Sequence, residues 1–142
     1  MPGLHFEDHD GTPPADAAAA VGDGLDAANA QAAPLHEVRA LACFARDDAG
    51  AVLGGAIGRT WGDACELQEL WVAEAQRGRG LGAALLARFE RLAATRGSRS
   101  AYLYTFSFQA PAFYARCGWQ VAHELAAFPH GIVKFTMTKT LG

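Results

Sequence analysis

The stretch from Glu66 to Arg96, ELQELWVAEAQRGRGLGAALLARFERLAATR, admits few folds. It opens as an extended segment, passes an acidic turn, and crosses a loop in which Gly78, Gly80 and Gly82 alternate with Arg77, Arg79 and Leu81. A helical pattern follows: Leu81, Leu85, Phe89 and Leu92 recur at spacings of three or four and form one apolar stripe, with Arg88, Glu90, Arg91 and Arg96 off it. Gly97 supplies the stop. Glycines leading into a helix N-terminus leave its unpaired N–H groups unshielded, so a phosphate can approach the backbone closely. The arginines add side-chain charge beside this anion site.

At 142 residues the chain fits one domain, residues 1–142, whose core needs neither disulfide nor metal. Apolar residues make up 51% and charged ones 19%, the balance of a folded globular chain rather than a disordered one. A net charge of −3 gives no global attraction to nucleic acid or an anionic membrane, so any basic site is local. No apolar run approaches the ~20 residues that span a bilayer. The start, with Glu7, Asp8 and Asp10, lacks the basic and apolar regions of a signal peptide, and a cytoplasmic location is the expectation. Cys43, Cys65 and Cys117 are too widely spaced for a zinc or redox motif, and all three are expected to be reduced, small buried apolar residues.

Patterning predicts a short strand near Leu4–Phe6, an Ala-rich helix from about Ala15 to Gln31 weakened by Gly22 and Gly24, and strands over 38–46 and 51–61 joined by the Asp47–Gly50 turn. Gly54, Gly55 and Gly58 in the second of these imply a bulge or a close backbone approach, or simply a weak strand. In the following strand, 66–72, simple alternation puts Gln68, Leu70 and Val72 on one face, and Leu67, Glu69 and Trp71 on the other. Strands 100–106, 119–125 and 132–140 follow, with a short helix over 110–116 whose Pro111 suits a first turn and whose Gly118 suits a cap. The expected fold is α/β: a mixed, mainly antiparallel sheet of about seven strands flanked by helices. Residues 1–35 are expected to be a variable N-terminal strand and helix, and 51–141, which contain the anion loop, a cofactor-binding core.

Gly78, Gly80 and Ala83 match the letters of the dinucleotide fingerprint G-x-G-x-x-G/A, but the acidic residue it needs about twenty positions on is absent, since Tyr102, Leu103 and Tyr104 stand there. No Gly-Lys-Ser/Thr follows for a triphosphate loop. The pattern Arg77-x-x-Gly80-x-Gly82 entered from Leu70-Trp71-Val72, with Ala110-Pro111-Ala112-Phe113-Tyr114-Ala115-Arg116-Cys117-Gly118-Trp119 downstream, resembles the two signature motifs of the GNAT N-acetyltransferase superfamily.

That resemblance implies acetyl-CoA as cosubstrate, with no metal. Its pyrophosphate would lie on Arg77, Gly78, Arg79, Gly80, Leu81 and Gly82. Its pantetheine arm would run along Trp71 and Val72, where the strand splays from Tyr102–Phe106, and against Ala110 and Phe113. Where the family's second motif often has Asn, this chain has Ser107, so one pantetheine hydrogen bond would come from Ser107 or from Gln109. Tyr114 is implied as the acid that protonates the departing thiolate. The base, acting through water, is Glu69 or, as the less favoured choice, Glu66, and alternation sends these two to opposite faces; solvent or the substrate is the remaining option.

The expected reaction is transfer of acetyl from acetyl-CoA to a primary amine by direct attack in a ternary complex. The acceptor is a small amine or a protein amino group, drawn by Asp63, Glu66 or Glu69 and flanked by aromatics such as Trp61, Trp71, Phe106, Phe108 and Phe128. Family members wall the acceptor site with two N-terminal helices; this chain offers one, so the site is open or is completed by a second subunit in a homodimer. The alternative is a non-catalytic acetyl-CoA-binding regulatory module. A nucleic-acid-binding domain, suggested by the run of arginines from Arg77 to Arg99, conflicts with the acidic total and the helix's apolar stripe.

Overall fold

A computed structural model of the chain describes residues 3–142. It divides into two compact units, Met1–His36 and Glu37–Gly142. Among its described residues the first unit holds one α-helix, α1 (Ala15–Ala32), with no buried residue. Its boundaries agree with the sequence pattern. Leu4–Phe6 forms no strand, and Leu4 and Phe6 are exposed. Without a neighbouring strand to take up its N–H and C=O groups, a short apolar segment gains nothing from extended pairing.

The second unit is built on the expected mixed, mainly antiparallel sheet, here of six strands: β1 (Arg39–Arg46), β2 (Val52–Trp61), β3 (Ala64–Val72), β4 (Ser100–Phe106), β5 (Gln120–Leu125) and β6 (Lys134–Thr140), in the order β1-β2-β3-β4-β6-β5. All pairings are antiparallel except β3 with β4. The parallel crossover is made by α2 (Leu81–Thr95); α3 (Pro111–Arg116) follows β4. Leu85, Leu86, Phe89 and Ala93 of α2 are buried in a core shared with Leu41, Cys43, Ala56, Leu67, Leu103 and Met137. Each fully buried Leu or Phe contributes about 1.5–3 kcal/mol. α2 ends in a Schellman motif: Gly97 has φ 96°, its N–H donates to the Ala94 carbonyl at 2.9 Å, and the Ser98 N–H donates to the Ala93 carbonyl at 3.0 Å.

Simple alternation fails in β3. Ile57 pairs with Glu69 but Gly58 pairs with Leu67, leaving Gln68 as the extra residue of a bulge. The bulge reverses parity along the strand. Cys65 and Leu67 before it, and Leu70 and Val72 after it, pack into the α2-side core, while Trp71 is 53% exposed. Leu67 therefore does not share a face with Glu69 and Trp71. Glu66 and Glu69, expected on opposite faces, share the face away from α2, because their partners Arg59 and Ile57 lie two residues apart on β2.

The glycines of β2 serve close approach. A Cβ on Gly58 would lie 1.9 Å from the Glu66 carbonyl oxygen and 2.8 Å from Phe89 Cζ. One on Gly54 would lie 2.9 Å from both Leu85 Cδ1 and the Trp71 carbonyl oxygen. These positions let α2 lie against the sheet and accommodate the bulge. Gly58→Ala should accordingly cost about 2–3 kcal/mol in urea unfolding, as overpacking against a backbone atom does. Gly24→Ala, in α1 with open space around it, should instead raise far-ultraviolet helicity, since Ala favours a helix interior over Gly by about 1 kcal/mol. Equal effects of the two substitutions would contradict this assignment.

Candidate active site

The loop between β3 and α2 takes its shape from backbone conformations that favour glycine: Gly78 has φ 76° and Gly80 φ 82°. Gly80 is the N-cap of α2, and no side chain caps the helix. The first helical bond runs from the Ala84 N–H to the Gly80 carbonyl at 3.0 Å. The amides of Leu81, Gly82 and Ala83 thus have no partner within the helix. Arg77 is braced by its own strand, its Nε donating to the Val72 carbonyl at 3.1 Å.

Beside this loop runs a cleft of about 470 Å³, within the range of small-molecule sites. Leu70, Trp71 and Val72 of β3 form one wall; Gln76, Arg77, Gly78, Gly80, Leu81, Gly82 and Ala83 form the loop end; Ala110, Phe113, Tyr114 and Arg116 form the other wall. Gly82 keeps the floor open between Phe113 and Val72 Cγ2, which a Cβ would reach at 3.5 and 3.6 Å. Of the loop residues expected to bind, Arg79 is exposed and does not line the cleft.

β3 and β4 pair over only three positions, Ala64–Glu66 with Ser100–Tyr102. Further along they separate, and a second cavity of about 280 Å³ opens between Gln68, Glu69, Leu70, Tyr104, Thr105, Gln109, Ala110 and Tyr114. Leu70, Ala110 and Tyr114 border both spaces.

Tyr114 is held by the end of α3. Gly118 has φ 91°, and its N–H donates to the Ala115 carbonyl at 3.1 Å while the Trp119 N–H donates to the Tyr114 carbonyl at 3.0 Å, a second Schellman motif. The apolar contact that accompanies this motif is the Trp119 indole against the Tyr114 ring, centroids 6.1 Å apart; Phe113 stands edge-on to Tyr114 at 5.3 Å. Burial pushes the Tyr114 phenol above its ordinary pKa, with a smaller push from Cys117. The hydroxyl therefore keeps its proton throughout the neutral range.

The two glutamates differ in occupation although they share a face. Glu66 is nearly buried, and its Oε1 accepts from both Nε and Nη2 of Arg59 at 2.9 Å. Burial, then the adjacent Glu66 carboxylate, raises the Tyr102 phenol. Glu69 is exposed and lines the second cavity near Tyr114. Ser107 and Gln109 separate as clearly. The Ser107 hydroxyl accepts from the Val133 N–H at 3.0 Å and lines neither space, whereas Gln109 borders the second cavity. Its Oε1 accepts from the Phe106 N–H at 2.8 Å, which leaves its amide NH₂ able to donate. Sequence patterning does not mark Gln76, Thr105 or Arg116 as lining residues. Arg116 was the most discoverable, lying one helical turn after Phe113 within the same motif.

Residues 12–119 match the acetyltransferase (GNAT) family. The chain is 35% identical over 112 residues, 76% of its length and 82% of the relative's, to a blasticidin-S acetyltransferase of Streptomyces morookaense. Among solved structures, an acetyltransferase from Bacillus cereus superposes with a TM-score of 0.78 over 94% of this chain and 98% of that one, at 24% identity. An aminoglycoside 6'-N-acetyltransferase complexed with coenzyme A superposes with a TM-score of 0.65 over 73% of this chain and 74% of its own, at 20% identity. The sequence match over most of the chain and the splayed sheet with its glycine loop agree: the chain belongs to the GNAT family of acetyltransferases.

Proposed function

We propose that this protein transfers the acetyl group of acetyl-CoA to a primary amine by direct attack in a ternary complex. The observation that carries the proposal is the meeting of two cavities at Tyr114, one ending at the glycine loop and the other containing Glu69. In that arrangement the free amides of Leu81, Gly82 and Ala83, with Arg77 and Arg116, take the pyrophosphate, where helix dipole and charge-assisted hydrogen bonds act on one anion. Trp71 and Val72 offer strand backbone, left without a β4 partner, to the amides of the pantetheine arm. Ala110 and Phe113 close the far wall, and the Gln109 NH₂ takes the hydrogen bond for which Ser107 was the other candidate.

Acetyl-CoA supplies the activated thioester. The neutral amine attacks its carbonyl carbon, the C–S bond breaks, and the Tyr114 hydroxyl gives its proton to the thiolate. Glu69 receives the proton lost by the amine through water. Solvent restores the Tyr114 proton. Glu66, already neutralised by Arg59, keeps a structural role. That a relative sharing 35% identity acts on blasticidin S favours a small-molecule amine over a protein amino group as acceptor.

The proposal is tested by following thiol release from acetyl-CoA with a panel of small amines; absence of turnover with every amine despite binding of the cosubstrate would leave only the regulatory reading. Tyr114→Phe should lower kcat at least tenfold with KM for acetyl-CoA within twofold, and an unchanged kcat would remove the proton-donor role. Glu69→Gln should abolish the acidic limb of the pH profile of kcat/KM for the amine, since its carboxylate must be ionised to accept the proton. Persistence of that limb would place the base elsewhere.

A further inference from the structure

On the face of the sheet away from α2, strand register sets Phe44, Gly55 and Trp71 side by side on β1, β2 and β3. The middle position has no side chain, and the Phe44 ring leans over it: a Cβ on Gly55 would stand 2.5 Å from Phe44 Cδ1 and 2.9 Å from Cε1. What remains is a slot of about 150 Å³ lined by Phe44, Val52, Gly55, Ile57, Glu69 and Trp71. Phe44 is 50% and Trp71 53% exposed, so both rings are accessible to a molecule entering the slot. Glu69 is the one ionisable residue lining the slot, and it also lines the cavity bordered by Tyr114.

We infer that this slot is a specificity subsite for the acceptor, selecting a primary amine that carries a flat aromatic or heteroaromatic ring. The inference rests on the acetyl-transfer reading above and names its substrate class. Two features choose the occupant. With the Phe44 ring seated over Gly55, the slot left between it and Trp71 suits a flat ring, which gains stacking or edge contacts that a puckered ring of equal carbon count does not. The only charge on the lining is negative, so the polar end of the occupant is a cation, placed at Glu69 on the border with the reaction cavity. The ring then lies between Phe44 and Trp71 while the nitrogen faces Tyr114. The bulge at Gln68 makes this continuity, because it turns Glu69 and Trp71 to the same face as Phe44's partner Gly55.

A matched pair of ligands tests the subsite. 2-Phenylethylamine and 2-cyclohexylethylamine share chain length and ammonium group, but only the first has a flat ring, while the second is the more hydrophobic. In calorimetric titrations of the full chain, with and without coenzyme A, the phenyl compound should bind at least fivefold more tightly. Phe44→Leu should erase that difference while the melting shift produced by acetyl-CoA stays that of the unsubstituted protein. Gly55→Ala, whose methyl group enters the space of the Phe44 ring, should weaken the phenyl compound too. Equal or tighter binding of the cyclohexyl compound, or a ring preference that survives Phe44→Leu, overturns the inference. So does a concentration-dependent dimer lost in Phe44→Leu without any ring preference, which would assign this face to a second copy. Ring-selective binding with no thiol release from any amine of the panel would keep the subsite and refute acetyl transfer, so the two claims fail separately.

Discussion

The second unit is organised by a pairing that stops early. β3 and β4 hold each other only from Ala64 to Glu66, and every later residue of β3 must find its hydrogen bonds on β2 or leave them to a ligand. Because the two strands are parallel, they diverge in the direction in which β3 delivers the chain to the glycine loop. The gap therefore opens next to the N-terminus of α2, and a groove of strand backbone and a cluster of free amides come to lie end to end. α3, fixed by its Schellman cap, then places Tyr114 across the gap.

The bulge at Gln68 is the second half of that design. Without it, alternation would drive either Leu67 or Leu70 out of the core. With it, both remain inside, and Glu66, Glu69 and Trp71 all face the other way. The glycines opposite have distinct physical reasons. Gly58 has no room for a side chain beside the bulge, Gly54 lies under Leu85, and Gly55 makes space beside Phe44. One strand thus meets the needs of helix packing, strand irregularity and the outer face at three neighbouring positions.

Much of this was written in local sequence. The stripe Leu81, Leu85, Phe89 specified α2, Gly97 and Gly118 specified its end and that of α3, and the loop glycines specified a helix start with no side-chain cap. The bulge also had a signal that strict alternation overlooked: in Leu67-Gln68-Glu69-Leu70 the apolar residues stand three apart, a spacing no regular strand can bury on one side. What local pattern could not supply was pairing across the sheet. That Arg59 would neutralise Glu66, that Ser107 would be taken by Val133, and that Phe44 would lie over Gly55 depend on register between segments distant in sequence. The segment at Leu4–Phe6 shows the converse: apolar letters without a strand partner remained unpaired.

The central claim is that the amides opening α2 receive the phosphates of coenzyme A. Nitrogen–proton correlation spectra of the full chain, recorded while coenzyme A is added, test it residue by residue. The account predicts saturable shifts largest at the amides of Gly80, Leu81, Gly82 and Ala83, with smaller ones at Trp71 and Val72. Saturable binding that leaves those four amides unmoved would contradict it.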